Sequence, residues 1–195
     1  IDNVNRQNPE CYVERGLKVS TSNLCSEITL HTDEDHSFVC VLSSLNLARY
    51  DEWKDWKGSS GKGVVELSIY FLDAVVTEFL KKTAHKFGMG RARRFAEKSR
   101  ALGLGTMGYH SYLQSHMTAF ESTHARQLNL NIHAQIKEQA VKASQDLAKE
   151  FGEPEWCQGT GLRHTHLLLW LFHPMFLAFA TSKLSFTKEA CKHGV

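Results

Sequence analysis

Net charge is nearly absent from this chain: 23 Lys and Arg face 21 Asp and Glu, which leaves +2 at neutral pH. A balance that small makes no electrostatic case for a nucleic-acid or membrane-surface partner. A membrane-spanning helix is missing too. The most apolar stretch, Leu167–Ala180, is shorter than the ~20 residues a span needs and is interrupted by Pro174. The first residues, Ile1-Asp2-Asn3-Val4-Asn5-Arg6, contain no initiator Met, no basic n-region and no apolar h-region. They are therefore not a signal peptide and read as the middle of something longer. The 11 histidines form no HExxH pattern, and no internal repeat is visible. The 5 cysteines (Cys11, Cys25, Cys40, Cys157, Cys191) are an odd set at wide spacing. In a chain too large to need staples, that pattern excludes a secreted disulfide framework and points to individual thiols in a reducing, cytoplasmic compartment.

What is present is ordinary globular composition, 42% hydrophobic and 23% charged, in 195 residues. That suits one domain with a real core, or one domain plus an appendage. Residues 1–16 are polar, with the turn character of Asn3, Asn5, Asn8 and Pro9; Leu17-Lys18-Val19 can begin a short strand. Phe38-Val39-Cys40-Val41-Leu42 is an unbroken apolar run, expected to be a strand buried on both faces. Residues 51–63 end in Gly58-Ser59-Ser60-Gly61-Lys62-Gly63 and read as a mobile linker. Val64, Leu67, Phe71, Leu72, Val75, Val76, Phe79 and Leu80 keep helical spacing, with Lys81, Lys82, His85 and Lys86 gathered where cations suit the helix dipole. A short basic helix follows over Arg91–Ala101. Its Arg91, Arg93, Arg94, Lys98 and Arg100 suit a solvated face, or a surface that attracts a phosphate-bearing ligand. A long helix is expected from about Thr123 to Phe151, stopped by Gly152 and Pro154.

Three stretches carry chemistry. Gly103-Leu104-Gly105-Thr106-Met107-Gly108 satisfies GxGxxG, but a dinucleotide site needs a buried strand before the motif and an acid about 20 residues after it. Here a basic helical segment precedes and Glu121 is the acid in range, so the glycines instead suit close approach of a helix and a strand. Cys25, His31, His36 and Cys40 form C-x5-H-x4-H-x3-C, a possible tetrahedral zinc set in a non-catalytic metal-binding or interaction module, though not at a usual knuckle spacing. The third stretch is Ser22-Asn23-Leu24-Cys25-Ser26-Glu27-Ile28. On an extended strand Asn23, Cys25 and Glu27 would share one face. That offers an amide to hold a hydroxyl, a thiol, and a carboxylate as general base. A second cysteine strand at Cys40 makes thiol redox chemistry available.

These two cysteine segments, Ser22–Ile28 and Cys40-Val41-Leu42-Ser43-Ser44-Leu45-Asn46-Leu47, resemble the catalytic large subunit of class I ribonucleotide reductase. The resemblance continues through Asp2–Arg6, Tyr12–Lys18, Arg94–Lys98, Arg100–Gln114 and Glu155–Leu167, several ungapped blocks over about residues 1–168. It implies a helix-rich α/β fold, part of a ten-stranded α/β barrel with Cys25 on or near a central strand, occupying residues 1–167. It further implies that Cys25 holds a transient thiyl radical, Glu27 is base on the 3′-hydroxyl and Asn23 hydrogen-bonds the sugar. Cys40 becomes one of two cysteines that reduce the substrate and close to a disulfide.

The implied substrate is a ribonucleoside diphosphate, and the implied partners are a metal-containing small subunit that supplies the radical, a second large subunit, and thioredoxin or glutaredoxin. No cofactor is expected on this segment, because ATP and deoxynucleotide effectors bind regions of the family that precede Ile1. The other redox cysteine, the radical-relaying tyrosines and the C-terminal cysteine pair also belong to parts of the family not matched here. After His166 the family's polar phosphate loop is replaced by Leu167–Ala180. Residues 168–195 are therefore expected to be a divergent, apolar tail, as a reading-frame change would produce.

Overall fold

The computed structural model describes residues 1–24 and 28–167. Its sheet is built from two strands, β1 (Val41–Asn46) and β2 (Leu102–Met107), paired in parallel with Val41 opposite Leu102 and Asn46 opposite Met107. Parallel neighbours require a long crossover. A 3-10 turn (Leu47–Arg49), α3 (Tyr50–Trp53), α4 (Val64–Thr83) and α5 (Gly90–Ser99) supply it. Two short helices, α1 (Asp2–Arg6) and α2 (Glu10–Glu14), precede the sheet. A second crossover runs through α6 (Tyr109–Ser115) and α7 (Thr123–Phe151). The chain then returns beside β2, where the N–H groups of Leu102 and Leu104 donate to the carbonyls of His166 and Leu167 at 2.9 and 3.1 Å. Strand, helix, strand, helix and strand-like return make a helix-rich portion of an α/β barrel, as expected.

The long helices form where expected, but the buried face of α4 is shifted from the one the sequence spacing suggests. Of that set Leu72 and Val76 are buried, whereas Leu67 and Phe71 are 36% and 66% exposed. α4 buries Val65, Ile69, Leu72 and Val76, and α7 buries Ile132, Ile136, Ala140, Ala143 and Leu147, so the two stripes pack together over the sheet. Each fully buried Leu or Ile contributes roughly 1.5–3 kcal/mol. Ser122 caps α7 by accepting the Ala125 N–H at 3.1 Å. Glu66 accepts the Gly63 N–H at the start of α4 and, also at 2.7 Å, the ammonium of Lys142 on α7.

Four local expectations change. Ser22–Leu24 and Ile28 are not strand; their geometry belongs to the site below. Leu17–Val19 is not strand either: the Asn5 amide bonds both the N–H and the carbonyl of Val19 at 2.8 Å, doing locally what a partner strand would do. β1 starts at Val41 rather than Phe38 and is not buried on both faces, Leu42 being 47% exposed. Among the described residues β1 has a neighbour on one side only. Residues 51–63 are not an unstructured linker. Trp53 donates its indole N–H to the Asn46 carbonyl at 2.9 Å, and Gly58 exchanges backbone bonds with Lys62 and Gly61.

The GxGxxG stretch lies along β2 itself rather than at a phosphate-binding turn. Its last glycine explains the pattern as close approach. Gly108 has φ +79°, and a Cβ there would sit 2.8 Å from Asn46 Oδ1 and 3.1 Å from the Ala48 nitrogen.

Candidate active site

Asn23 and Ile28 close on each other. The Asn23 N–H donates to the Ile28 carbonyl at 3.3 Å, and Asn23 Oδ1 accepts the Ile28 N–H at 2.9 Å. An Asn side chain that bonds backbone in this way favours a turn over a ladder, which is why Asn23 and Ile28 are not in strand. Leu24, inside the closure, is 99% exposed. Cys25 and Glu27 fall between these residues in sequence and lie outside the described residues.

The other cysteine segment is close by. Ile28 and Leu30 are buried with Tyr12, Phe95, Ala101 and Trp156, and Phe38, Val39 and Cys40 pack against that same cluster. The Cys40 thiol donates weakly to the Val41 carbonyl at 3.9 Å. Loss of water around it pushes its pKa up to about 12. Cys40 therefore keeps its hydrogen at neutral pH and is a poor nucleophile, since the thiolate is the attacking species.

Between the two segments, the acidic loop is built by its own hydrogen bonds. Asp33 Oδ1 accepts the N–H groups of Asp35 and His36 at 2.8 and 2.7 Å, and Thr32 Oγ1 donates to the His36 carbonyl at 2.9 Å. Asp33 also meets His31 Nε2 and His36 Nδ1, each at 2.9 Å. The four-residue set Cys25, His31, His36 and Cys40 is not what comes together among the described residues: the acid Asp33, and not Cys40, joins the two histidines.

The basic residues of α5 are committed within the chain. Arg91 donates to the Asp33 carbonyl and Arg94 Nε to that of Asp35 at 3.0 Å, while Lys98 pairs with Glu155 at 3.0 Å. Arg91 and Arg94 hold the loop against α5, and Lys98 ties α5 to the turn at Glu155, so their part here is structural.

A buried polar network is what sequence reasoning missed. Asp73 on α4, its side chain 7% exposed, accepts Arg100 Nε at 2.7 Å, His164 Nε2 at 3.0 Å and Arg163 Nε at 3.2 Å. His164 Nδ1 faces Ser144 Oγ at 2.8 Å, and that oxygen accepts the Arg163 N–H at 3.1 Å. One tautomer satisfies every member: Nε2–H to Asp73, Nδ1 accepting from Ser144. Burial opposes ionisation of Asp73, yet the bonds from His164 and Arg100 outweigh it and hold its carboxyl well below the usual carboxylate range. Asp73 sits one residue after Leu72 in the apolar stripe of α4, a charge on a core face. The network pins residues 163–164 just before the strand-like return beside β2.

His166 lies in that return, its Nδ1 3.0 Å from Thr165 Oγ1. Burial pushes its pKa down to about 4, and burial likewise lowers that of His164. An unfolded imidazole titrates near 6.5. Between about pH 6.5 and pH 4 the unfolded chain takes up protons the folded chain refuses, so stability falls as the pH falls. His166 alone accounts for roughly 1–3 kcal/mol of that loss. Urea midpoints measured from about pH 7.5 down to about pH 4.5 are expected to decline steadily; a flat profile would contradict this.

Residues 1–190 match the sequence model of the ribonucleotide reductase barrel domain. The chain belongs to the ribonucleotide reductase family. Frog virus 3 has a relative named as a ribonucleoside-diphosphate reductase large subunit, 42% identical over 172 residues, which cover 86% of this chain and 29% of that protein. The large subunit of Invertebrate iridescent virus 3 is 36% identical over 167 residues, covering 86% of this chain and 25% of that one. Among solved structures, the Actinobacillus ureae class Id ribonucleotide reductase alpha subunit superposes with a TM-score of 0.81 at 47% identity, over 86% of this chain and 31% of that chain. The chain thus spans under a third of the length of these relatives, and the barrel fold expected from the sequence is the family's.

Proposed function

We propose that this chain is a catalytic segment of a ribonucleoside-diphosphate reductase, an oxidoreductase that makes deoxyribonucleotides for DNA synthesis. The observation that supports this reading is that Ile28, whose N–H is held by Asn23 Oδ1, shares an apolar cluster with Cys40. Cys25 as a thiyl radical takes the 3′-hydrogen of the ribose as an atom and returns it at the end. Glu27 accepts the 3′-hydroxyl proton, and Asn23 hydrogen-bonds the sugar. The 2′-hydroxyl leaves as water. Two electrons and two protons come from Cys40 and a second cysteine outside this chain, which close to a disulfide. Thioredoxin or glutaredoxin then reopens it.

On the same reading a metal-containing small subunit supplies the radical, two large subunits pair, and ATP or deoxynucleotide effectors bind outside this segment. The setting is cytoplasmic, and no helix of the described residues is long and apolar enough to cross a membrane. Residues 1–167 are the barrel portion and residues 168–195 a divergent tail; the other two reading frames of the coding DNA either contain the missing Pro-Thr-Ser-like loop or end that idea. The family match runs on to residue 190, which is the observation a frame change has to answer.

The experiment is nucleoside-diphosphate reduction by the full-length large subunit, with its small subunit and reductant, beside the 195-residue chain in the same assay. Deoxynucleotide is expected from the first and none from the second, because the second redox cysteine is outside it. Product from the isolated chain would refute that assignment, and no product from the complete system would refute the activity.

A further inference from the structure

The loop between the two cysteine segments is more elaborate than a connection needs. His31, Asp33 and His36 each present a ligand atom, and these atoms all lie within 4.8 Å of one another. The side chains of His31 and His36 are 8% and 13% exposed, while Asp33, at 43%, leaves the group an open side toward solvent. The positions are fixed from behind. Asp33 N–H donates to the His36 carbonyl at 3.0 Å, and the guanidinium groups of Arg91 and Arg94 hold the carbonyls of Asp33 and Asp35. Trp156 packs edge-on against both imidazoles, with ring centroids 5.5 Å from His31 and 5.1 Å from His36.

Proton placement adds a second line. His31 Nδ1 lies 2.7 Å from the Lys18 carbonyl and 3.1 Å from the Lys18 N–H. With the proton on Nδ1, as the shorter contact favours, Nε2 turns a lone pair to Asp33 Oδ2 at 2.9 Å. In that tautomer the two acceptors need a cation between them; in the other, Nδ1 accepts the Lys18 N–H and Nε2–H donates to Asp33. A ring N–H bonded to a backbone carbonyl is also the usual outer support of a metal-binding imidazole. On the other imidazole, Nδ1 meets Asp33 Oδ1, and Nε2 is buried with no hydrogen-bond partner.

We propose that His31, Asp33 and His36 form a three-ligand site for zinc, or a divalent transition metal of similar size, clamping the loop between the Asn23–Ile28 closure and Cys40. Two imidazoles and one carboxylate are a zinc-competent set that leaves a coordination position for water. Zinc bonds of roughly 2.0–2.1 Å put tetrahedral ligands about 3.3 Å apart, so each 2.9 Å nitrogen–oxygen pair has to open by about 0.4 Å. The set differs from the thiol-containing one in using Asp33 and no cysteine, and it adds a structural metal to the reductase segment rather than replacing its chemistry.

The test titrates the folded 195-residue chain with Zn2+ by calorimetry and with Co2+ by visible absorption. One saturable equivalent is expected, together with cobalt bands of a four-coordinate N/O site and no thiolate charge-transfer band. His36→Gln and Asp33→Asn, checked for folding by circular dichroism, are each expected to weaken zinc by ~10-fold or more; Cys40→Ser leaves the affinity unchanged. If either ligand variant fails to fold, the wild-type cobalt spectrum still decides between nitrogen–oxygen and thiolate ligation. No saturable zinc binding to the folded wild type would overturn the site and leave Asp33 as a hydrogen-bonding partner of the two imidazoles. Binding that persists in both ligand variants, or is lost in Cys40→Ser, would overturn it equally.

Discussion

Asp73→Ala is expected to cost about 3–5 kcal/mol of folding stability, the scale on which removing one partner of a buried ion cluster is felt. The size follows from what is left behind. Arg100, itself 6% exposed, would lose its carboxylate and keep only the Asp73 carbonyl and Thr77 Oγ1, each within 2.8 Å. His164, 1% exposed, would have an Nε2–H with no acceptor. Arg163 would keep its bonds to the carbonyls of Phe151 and Gly152 at 3.1 and 2.8 Å, because both come from Nη1 rather than Nε. Asp73→Asn keeps the shape and one acceptor oxygen, so its loss is expected to be smaller. Urea midpoints at pH 7 measure both, with an unchanged m-value marking a stability effect proper. Exchange of the Leu102 and Leu104 amides, which donate to His166 and Leu167, reports whether the return strand loosens. A loss under about 1 kcal/mol for Asp73→Ala would mean that the network is incidental to the fold.

That network also marks the limit of sequence reading. α4 and α7 were legible because a helical stripe depends on residues three and four apart; the long helix was expected from Thr123 to Phe151 and is found there. Asp73 and His164 stand 91 residues apart, and only the return of the chain beside β2 brings them together. The described ends of the Ser22–Ile28 stretch, residues 22–24 and 28, depart from strand for a different reason. Alternation reports which face a side chain takes if the backbone is extended, and it is blind to Asn23 turning its amide onto the Ile28 N–H. The 51–63 segment has linker composition, yet the Trp53 indole ties it to the end of β1. Of the four proposed site residues, Asn23 and Cys40 are among the described residues and Cys25 and Glu27 are not; the roles of all four rest on the resemblance. The metal set was half legible: both histidines were singled out, whereas the part of Asp33 was not, because its bonds to them depend on the turn it caps.

Cys25→Ser in the full-length reductase is expected to remove deoxynucleotide formation by at least ~10³-fold, as deleting a residue that performs the chemistry does. Serine is close in size, so folding is not the issue; its O–H cannot take over the hydrogen-atom exchange assigned to the thiol. On the proposed mechanism Cys40→Ser is expected to abolish turnover to a similar degree by another route, since the proposed disulfide would have lost one sulfur. The two are separated by following the 3′-hydrogen. A substrate labelled at C3′ is expected to retain its label with Cys25→Ser, where the first abstraction fails, and to release some of it with Cys40→Ser, where abstraction precedes the missing reduction. The raised pKa of Cys40, about 12, adds an independent check on its thiol form. Alkylation of Cys40 in the folded chain is expected to stay slow well above the pH at which an ordinary thiol near 8.5 reacts. Equal label retention in both variants would merge their roles, and turnover surviving Cys25→Ser would take the radical away from that residue.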